Sequence, residues 1–273
     1  MSTDNATTKP ADWKTYDQFA LGIATNRLPP TDALSGQTLV LALPDFRLTL
    51  KPRAQHTLDW HEEGARNGQG QGDWYEAIEV APDTFFLDIT QASRPTEALT
   101  VVFNARTRRV LAIRCRIVSA EEAAGQPRVP QDFWPGTLEG GGVIGGAATG
   151  PVPHATRDLI GLRTWQIYSP NHTYEHIYLS AERYAWQCLV GVQRGHGDVD
   201  LASYWKFDDE QYVFTFREFL IPVASVFFFD FARGRSTGKF LGVTGAGEVA
   251  NNPAGAFMRK ASQTFYPPEF GPV

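Results

Sequence analysis

From Leu39 onward the chain reads as apolar or aromatic runs of 4 to 8 residues, broken by Gly, Pro, Asn and Asp, with long helical periodicity nearly absent. That pattern predicts antiparallel strands joined by short turns. One set of runs covers residues 38–43, 46–50, 57–60, 74–80, 84–89, 99–103 and 110–118. A second set covers residues 163–168, 174–179, 184–190, 203–207, 212–219, 223–231 and 239–244.

The two sets overlay. Gly64, Gly68 and Gly70 repeat the spacing of Gly191, Gly195 and Gly197 at a constant offset of 127. Trp60 falls opposite Trp186, Tyr75 and Asp88 are separated as Tyr204 and Arg217 are, and Phe103-Asn-Ala-Arg106 is similar to Phe229-Asp-Phe-Ala-Arg233. An offset shared by rare residues marks an internal repeat. Seven or so antiparallel strands expose edges unless the sheet closes, and a small closed barrel has room for one ligand. The fold predicted is therefore all-β: two tandem antiparallel barrels with a short N-terminal helix. Trp13, Tyr16, Phe19, Ala20 and Ile23 recur at helical spacing after Asp12, and the helix they predict over residues 13–24 is expected to close the first barrel. Residues 119–155 are rich in Gly and Pro, which predicts a linker between a first barrel over residues 1–118 and a second over residues 156–273.

Composition narrows the function classes. With 42% hydrophobic residues, 12% aromatic residues and a net charge of -5, the chain is globular and has no dense Lys/Arg block for a phosphate backbone, so nucleic acid is not an expected partner. No apolar stretch approaches the length of a membrane-spanning helix and residues 1–10 lack a signal-peptide core, so no membrane partner and a cytoplasmic location are expected. Cys115 and Cys188 lie one in each half without paired spacing, which argues against a zinc site or a disulfide. His56 with His61, and His172 with His176, lack a third ligand, and Gly68, Gly70 and Gly72 lack the strand-loop-helix context of a phosphate loop. No metal and no cofactor are expected. There is no GxSxG elbow, and a homo-oligomer is left open.

The candidate chemistry lies in the second half. Side chains alternate along a strand, so Tyr174, His176 and Tyr178 share one face, as do Tyr184, Trp186 and Cys188 on the next run. Facing inward, they would line an aromatic, polar-tipped pocket in which His176 serves as acid, base or donor near neutral pH. The plainer alternative is a filled core with satisfied hydroxyl and N–H groups. Arg217 and Glu218 interrupt an otherwise apolar run, so one of them faces inward. An inward Glu218 would be a proton donor with a raised pKa, an inward Arg217 a carboxylate clamp, and the alternative is an ion pair at the rim. Asp88 takes the corresponding place in the first half without an Arg-Glu pair.

These residues carry a family resemblance. Thr156-Arg-Asp-Leu-Ile-Gly-Leu-Arg163, Tyr174-Glu-His-Ile-Tyr-Leu179, Tyr184-Ala-Trp-Gln-Cys-Leu-Val-Gly191, Phe216-Arg-Glu218 and Gly238-Lys-Phe-Leu-Gly242 resemble the family called molybdenum cofactor biosynthesis protein F (MoaF). Asp12-Trp, the segment Asp17-Gln-Phe-Ala-Leu-Gly-Ile-Ala-Thr-Asn-Arg-Leu-Pro and Phe133-Trp-Pro-Gly136 extend the resemblance to the first half. It implies calycin/lipocalin-like barrels, and no molybdopterin-handling motif accompanies it. A more distant likeness links the second barrel to phenolic acid decarboxylases, implying roles for Tyr168 and Glu218 as that family's tyrosine and glutamate, with no arginine assigned. The function expected is binding of a small aromatic or carboxylated metabolite and cofactor-independent acid-base chemistry of lyase type. Glu218, His176 and Tyr174 would be catalytic, and Arg217, Tyr168, Tyr178, Tyr184 and Trp186 would bind the ligand. The alternatives are a non-catalytic carrier or sensor of lipocalin type, and a filled barrel acting through protein contacts.

Overall fold

The computed structural model describes residues 9–140 and 147–273. In the first half, β1 (Leu39–Ala42), β2 (Phe46–Ala54), β3 (Thr57–Gly64), β4 (Gly68–Asp73), β5 (Tyr75–Ala81), β6 (Thr84–Ile89), β7 (Glu97–Asn104), β8 (Arg109–Arg116) and β9 (Gln131–Gly140) form one antiparallel sheet in the order β4-β3-β2-β1-β9-β8-β7-β6-β5. The second half comprises β10 (His154–Ala155), β11 (Leu162–Ser169), β12 (His172–Tyr178), β13 (Arg183–Val190), β14 (Gly197–Asp208), β15 (Gln211–Arg217), β16 (Val223–Asp230), β17 (Arg235–Val243) and β18 (Val249–Gln263). Its order is β10-β14-β13-β12-β11-β18-β17-β16-β15, and a further β14–β15 pairing closes the circuit. Two one-turn helices, α1 (Tyr16–Phe19) and α2 (Ala120–Ala123), complete the picture of two tandem antiparallel barrels.

Closure works alike in both halves. The early part of β14 pairs with β13 (Trp186 with Asp198) and the later part with β15 (Leu201 with Arg217). In the first half β4 pairs with β3 and β5 with β6, and only Trp74 separates β4 from β5, so the two act as one bent strand. The repeat reaches backbone and side chains. Gly64 and Gly191 both sit in the left-handed region, at φ +133° and +137°. Trp60 Nε1 donates to Asp73 at 2.6 Å, and Trp186 Nε1 donates to Asp200 at 3.0 Å.

Alternation along the strands makes three cores. Leu41, Leu48, Leu50 and Phe103 fill the first barrel, and Tyr178, Phe214, Phe227 and Phe229 fill the second with aromatic rings. A third core lies between the barrels, where Ile78, Phe86, Val102 and Ile113 meet Phe207, Val213, Val226 and Phe228. β6 and β16 are consequently buried on both faces. At that interface Lys239 Nζ and Asp88 form a buried ion pair at 2.5 Å, and Asn251 Nδ2 donates to the other Asp88 oxygen at 2.7 Å. The partner supplies the countercharge and hydrogen bonds that a buried ion requires.

Two expectations change. The N-terminal helix is a single turn, and Trp13, Tyr16, Phe19 and Ile23 pack into the second barrel, not the first. The edge of β18 explains why: β11 pairs with β18 only from Phe257 onward, so the earlier part of β18 is open on that side. There Gly255 N–H donates to the Ile23 carbonyl at 3.0 Å. His172 Nδ1 lies 2.8 Å from the Leu21 carbonyl, and Asn26 N–H donates to the Tyr168 carbonyl at 3.0 Å. Secondly, the stretch expected as a linker contains α2 and the ten-residue β9. Pro135 is tolerated there because it pairs with β8 alone; the β1 pairing begins at Thr137. Pro253 of β18 follows the same rule, pairing only with Lys239 of β17. Residues 141–146, part of the Gly cluster, lie outside the described residues. No helix among the described residues is long and apolar enough to cross a membrane.

Candidate functional site

The second barrel encloses a cavity of about 30 Å³. β12 turns Tyr174 and His176 into it, β13 adds Tyr184 and Trp186, and β11 adds Tyr168. The period-two rule continues past the end of β15: Phe214 and Phe216 face inward, and Glu218 extends their row into the cavity. Gln193 and Phe240 complete the walls, and Phe19 and Ile23 of the N-terminal segment cover the mouth. With about 10–15 Å³ needed per water by this measure, the cavity has room for about two water molecules.

Four buried polar side chains converge there without a hydrogen-bond partner among the described residues: the carboxyl of Glu218, the imidazole of His176 and the hydroxyls of Tyr168 and Tyr184. Tyr174 differs, because its hydroxyl donates to Gln193 Oε1 at 2.6 Å and lies 3.3 Å from His172 Nε2. No Lys or Arg lines the cavity.

Burial sets the charge state. It pushes the Glu218 carboxyl well above its ordinary value, and the nearby Asp200 and Asp198 charges push it further, so Glu218 keeps its proton to higher pH than a free carboxyl does. Asp200 is pushed up to about 7 by burial and by Asp198, against the hydrogen bond from Trp186. Burial drives His176 down to about 3, although Glu175 opposes the shift. The imidazole is therefore neutral at pH 7, with an N–H to donate. Burial also raises the Tyr168, Tyr174 and Tyr184 phenols, which stay protonated. The site presents a neutral acid, a neutral imidazole and phenols within a ring of aromatic carbon.

Of the residues singled out from sequence, Glu218, His176, Tyr174, Tyr168, Tyr184 and Trp186 line this cavity. Tyr178 lies outside its lining, fully buried, with its hydroxyl 3.1 Å from Thr164 Oγ1. Arg217 is on the opposite face of its strand, in a groove with Leu201 and Ser203, because Glu218 takes the inward position. Asp200 was not singled out, although it follows Asp73 by the same offset of 127 that relates the glycines. Among the described residues no group of three or more His, Cys, Asp or Glu could hold a metal ion.

The first barrel is built differently. Buried Glu62 accepts from Arg94 at 2.7 Å and from Arg114 at 2.9 Å, and Arg94 lies over the Trp60 ring. That pairing occupies the interior charge, whereas Glu218 is unpaired.

Fold and site together define a tandem antiparallel-barrel protein whose C-terminal barrel encloses an aromatic, acid-bearing cavity. The chain belongs to the MoaF family: residues 11–119 match the MoaF N-terminal domain and residues 153–264 the MoaF C-terminal domain. Protein MoaF of Klebsiella aerogenes is 33% identical over 214 residues, which cover 74% of this chain and 76% of that protein. Among solved structures, a Burkholderia vietnamiensis protein provisionally described as a β-lactamase is 15% identical over 38% of this chain and 95% of its own, at a TM-score of 0.33. The DNA polymerase III β chain of Streptococcus pneumoniae is 9% identical over 91% of this chain and 63% of its own, at a TM-score of 0.13. Superpositions this loose carry no argument.

Proposed function

We propose that the second barrel binds a small, uncharged aromatic metabolite, with protonated Glu218 as its hydrogen-bond and proton donor. The observation that carries this reading is the convergence of Glu218, His176, Tyr168 and Tyr184 on one cavity with their polar groups unpartnered. Native interiors leave few such groups, and each costs free energy until a ligand or water pairs with it. The walls suit a flat ring. A carboxylated ligand fits less well, because no cation lines the cavity to offset its charge.

Acid-base chemistry of lyase type without a cofactor follows from the same charge states. Glu218 holds a proton in an apolar setting and can deliver it to a ligand carbon or oxygen, while the neutral His176 imidazole hydrogen-bonds the ligand beside it. Tyr174, fixed by Gln193, orients the ring. A non-catalytic carrier is the second reading, favoured by the small volume of the cavity. A void of about 150 Å³ holds benzene, so a ring enters only when Phe19 and Ile23 withdraw, as they would in a barrel built to store its ligand.

The test is titration of the protein with phenolics, aromatic acids, pterins and flavins, followed by Trp13 and Trp186 fluorescence, with product analysis of every binder. Binding weakened by Glu218→Gln and Tyr184→Phe supports the site, and turnover lost in Glu218→Gln and His176→Ala supports the enzyme. Binding unchanged in both Glu218→Gln and Tyr184→Phe rejects the site. Saturable binding without turnover of any compound leaves the carrier.

A further inference from the structure

Arg217, the last residue of β15, is an ionisable side chain without an ion pair among the described residues. It lies in a groove of about 400 Å³ between the two halves, walled by Gln126, Pro127 and Gln131 on one side and by Leu201, Ser203 and Glu182 on the other. One hydrogen bond holds the guanidinium, from Nη2 to the Ala202 carbonyl at 3.2 Å. Its Nε is buried and has no partner, and no carboxylate of the described residues pairs with it. Glu182 is exposed to solvent, and its charge is opposed at Arg217 by that of the adjacent Arg183. Cys115, also near, is a fully buried thiol whose pKa is raised by burial, so it supplies no countercharge. Gln131 spends its Nε2 on the Ser225 carbonyl at 2.9 Å and on Cys115 Sγ at 3.4 Å.

A largely buried guanidinium without a counterion is costly, since its Coulombic gain comes only from a paired anion. Its free edge is the planar fork that matches a carboxylate or phosphate with two parallel hydrogen bonds. We propose that the groove between the barrels is an oxyanion site, in which Arg217 takes a small carboxylate or phosphate through its free Nη1 and the remaining N–H of Nη2. The site is separate from the cavity: Arg217 and Glu218 are adjacent in sequence and open on opposite faces of the barrel wall. Residues of both halves wall the groove, and an anion bound there stabilises the folded chain by linkage.

Calorimetric titration of the full chain with inorganic phosphate, and separately with succinate, at ionic strength held constant with sodium chloride, tests this. Saturable binding of one anion is expected, the tighter of the two showing whether the site prefers phosphate or carboxylate. Arg217→Gln should weaken that binding at least tenfold, and Arg217→Lys, which keeps the charge and loses the fork, should weaken it less. Leu201 pairs directly with Arg217 across β14 and β15. Leu201→Glu therefore supplies an internal countercharge without removing the arginine, and should abolish anion binding while raising Tm. The proposal is overturned if neither anion binds the folded protein saturably, if Arg217→Gln binds with unchanged affinity, or if Leu201→Glu binds as the wild type does.

Discussion

Glu218→Gln separates the cost of the buried carboxyl from its use. In the folded protein the carboxyl is raised well above its ordinary value, chiefly by burial, whereas the unfolded chain releases that proton near pH 4.3. Below that pH both states are protonated and the wild type carries no penalty. As pH rises, the native state holds a proton that the unfolded state has lost, so stability falls by about 1.4 kcal/mol per pH unit per such group until the native pKa is passed. Asp200, pushed up to about 7, adds a parallel loss that ends near that pH. Gln keeps the shape and a donor but does not titrate. The variant should match the wild type near pH 4.5 and exceed it by a margin that widens as pH rises towards 7, by at most about 1.4 kcal/mol per pH unit. Urea unfolding of both proteins at pH 4.5, 5, 6 and 7 measures the difference. Parallel stability curves would refute the reasoning, because they would mean that Glu218 ionises in the fold as it does in the open chain.

Three further outcomes follow from the geometry. Lys239→Met leaves Asp88 buried without its ion pair and should cost about 3–5 kcal/mol in chemical denaturation; adding Asp88→Asn, which keeps a group for Asn251, should recover part of that in a double-mutant cycle. Phe19→Ala opens the cover over the cavity, and should lower stability by about 3–5 kcal/mol while speeding uptake of a hydrophobic dye in stopped-flow fluorescence. Gly70→Ala places a Cβ against Trp60 Nε1 and Asp73 Oδ2, so thermal unfolding should show a loss of about 1–3 kcal/mol as the Trp–Asp hydrogen bond is strained.

The barrels were legible because turn residues and short apolar runs punctuate most strands, and because rare residues repeat at one offset. What stayed hidden has physical causes. β9 and β18 carry Pro, Gly and polar residues that argue against strands, and they are tolerated where the strand pairs on one side only. The orientation of Arg217 and Glu218 could not be read from β15, since Tyr212, Val213, Phe214, Thr215 and Phe216 are all buried, the odd positions by the neighbouring barrel. Period two is invisible in a strand buried on both faces. The amphipathic stripe at Trp13, Tyr16, Phe19 and Ile23 was plain, but a stripe does not say which apolar surface it meets. Asp200, one of two aspartates in Gly197-Asp-Val-Asp200, carries no periodic signal of its own, although its partner Trp186 and the counterpart Trp60–Asp73 pair were within reach of the repeat.

The most direct test of the central claim is a thermal-shift screen of the wild type and Glu218→Gln against phenolics, aromatic acids, pterins and flavins at pH 7. Ligand at about 100 times its Kd adds about 2.7 kcal/mol to a folded protein that binds it. The account predicts a saturable rise in wild-type Tm with an uncharged aromatic compound, and a smaller rise in Glu218→Gln. A folded wild type that no class stabilises, or a ligand that raises both proteins equally, would contradict it.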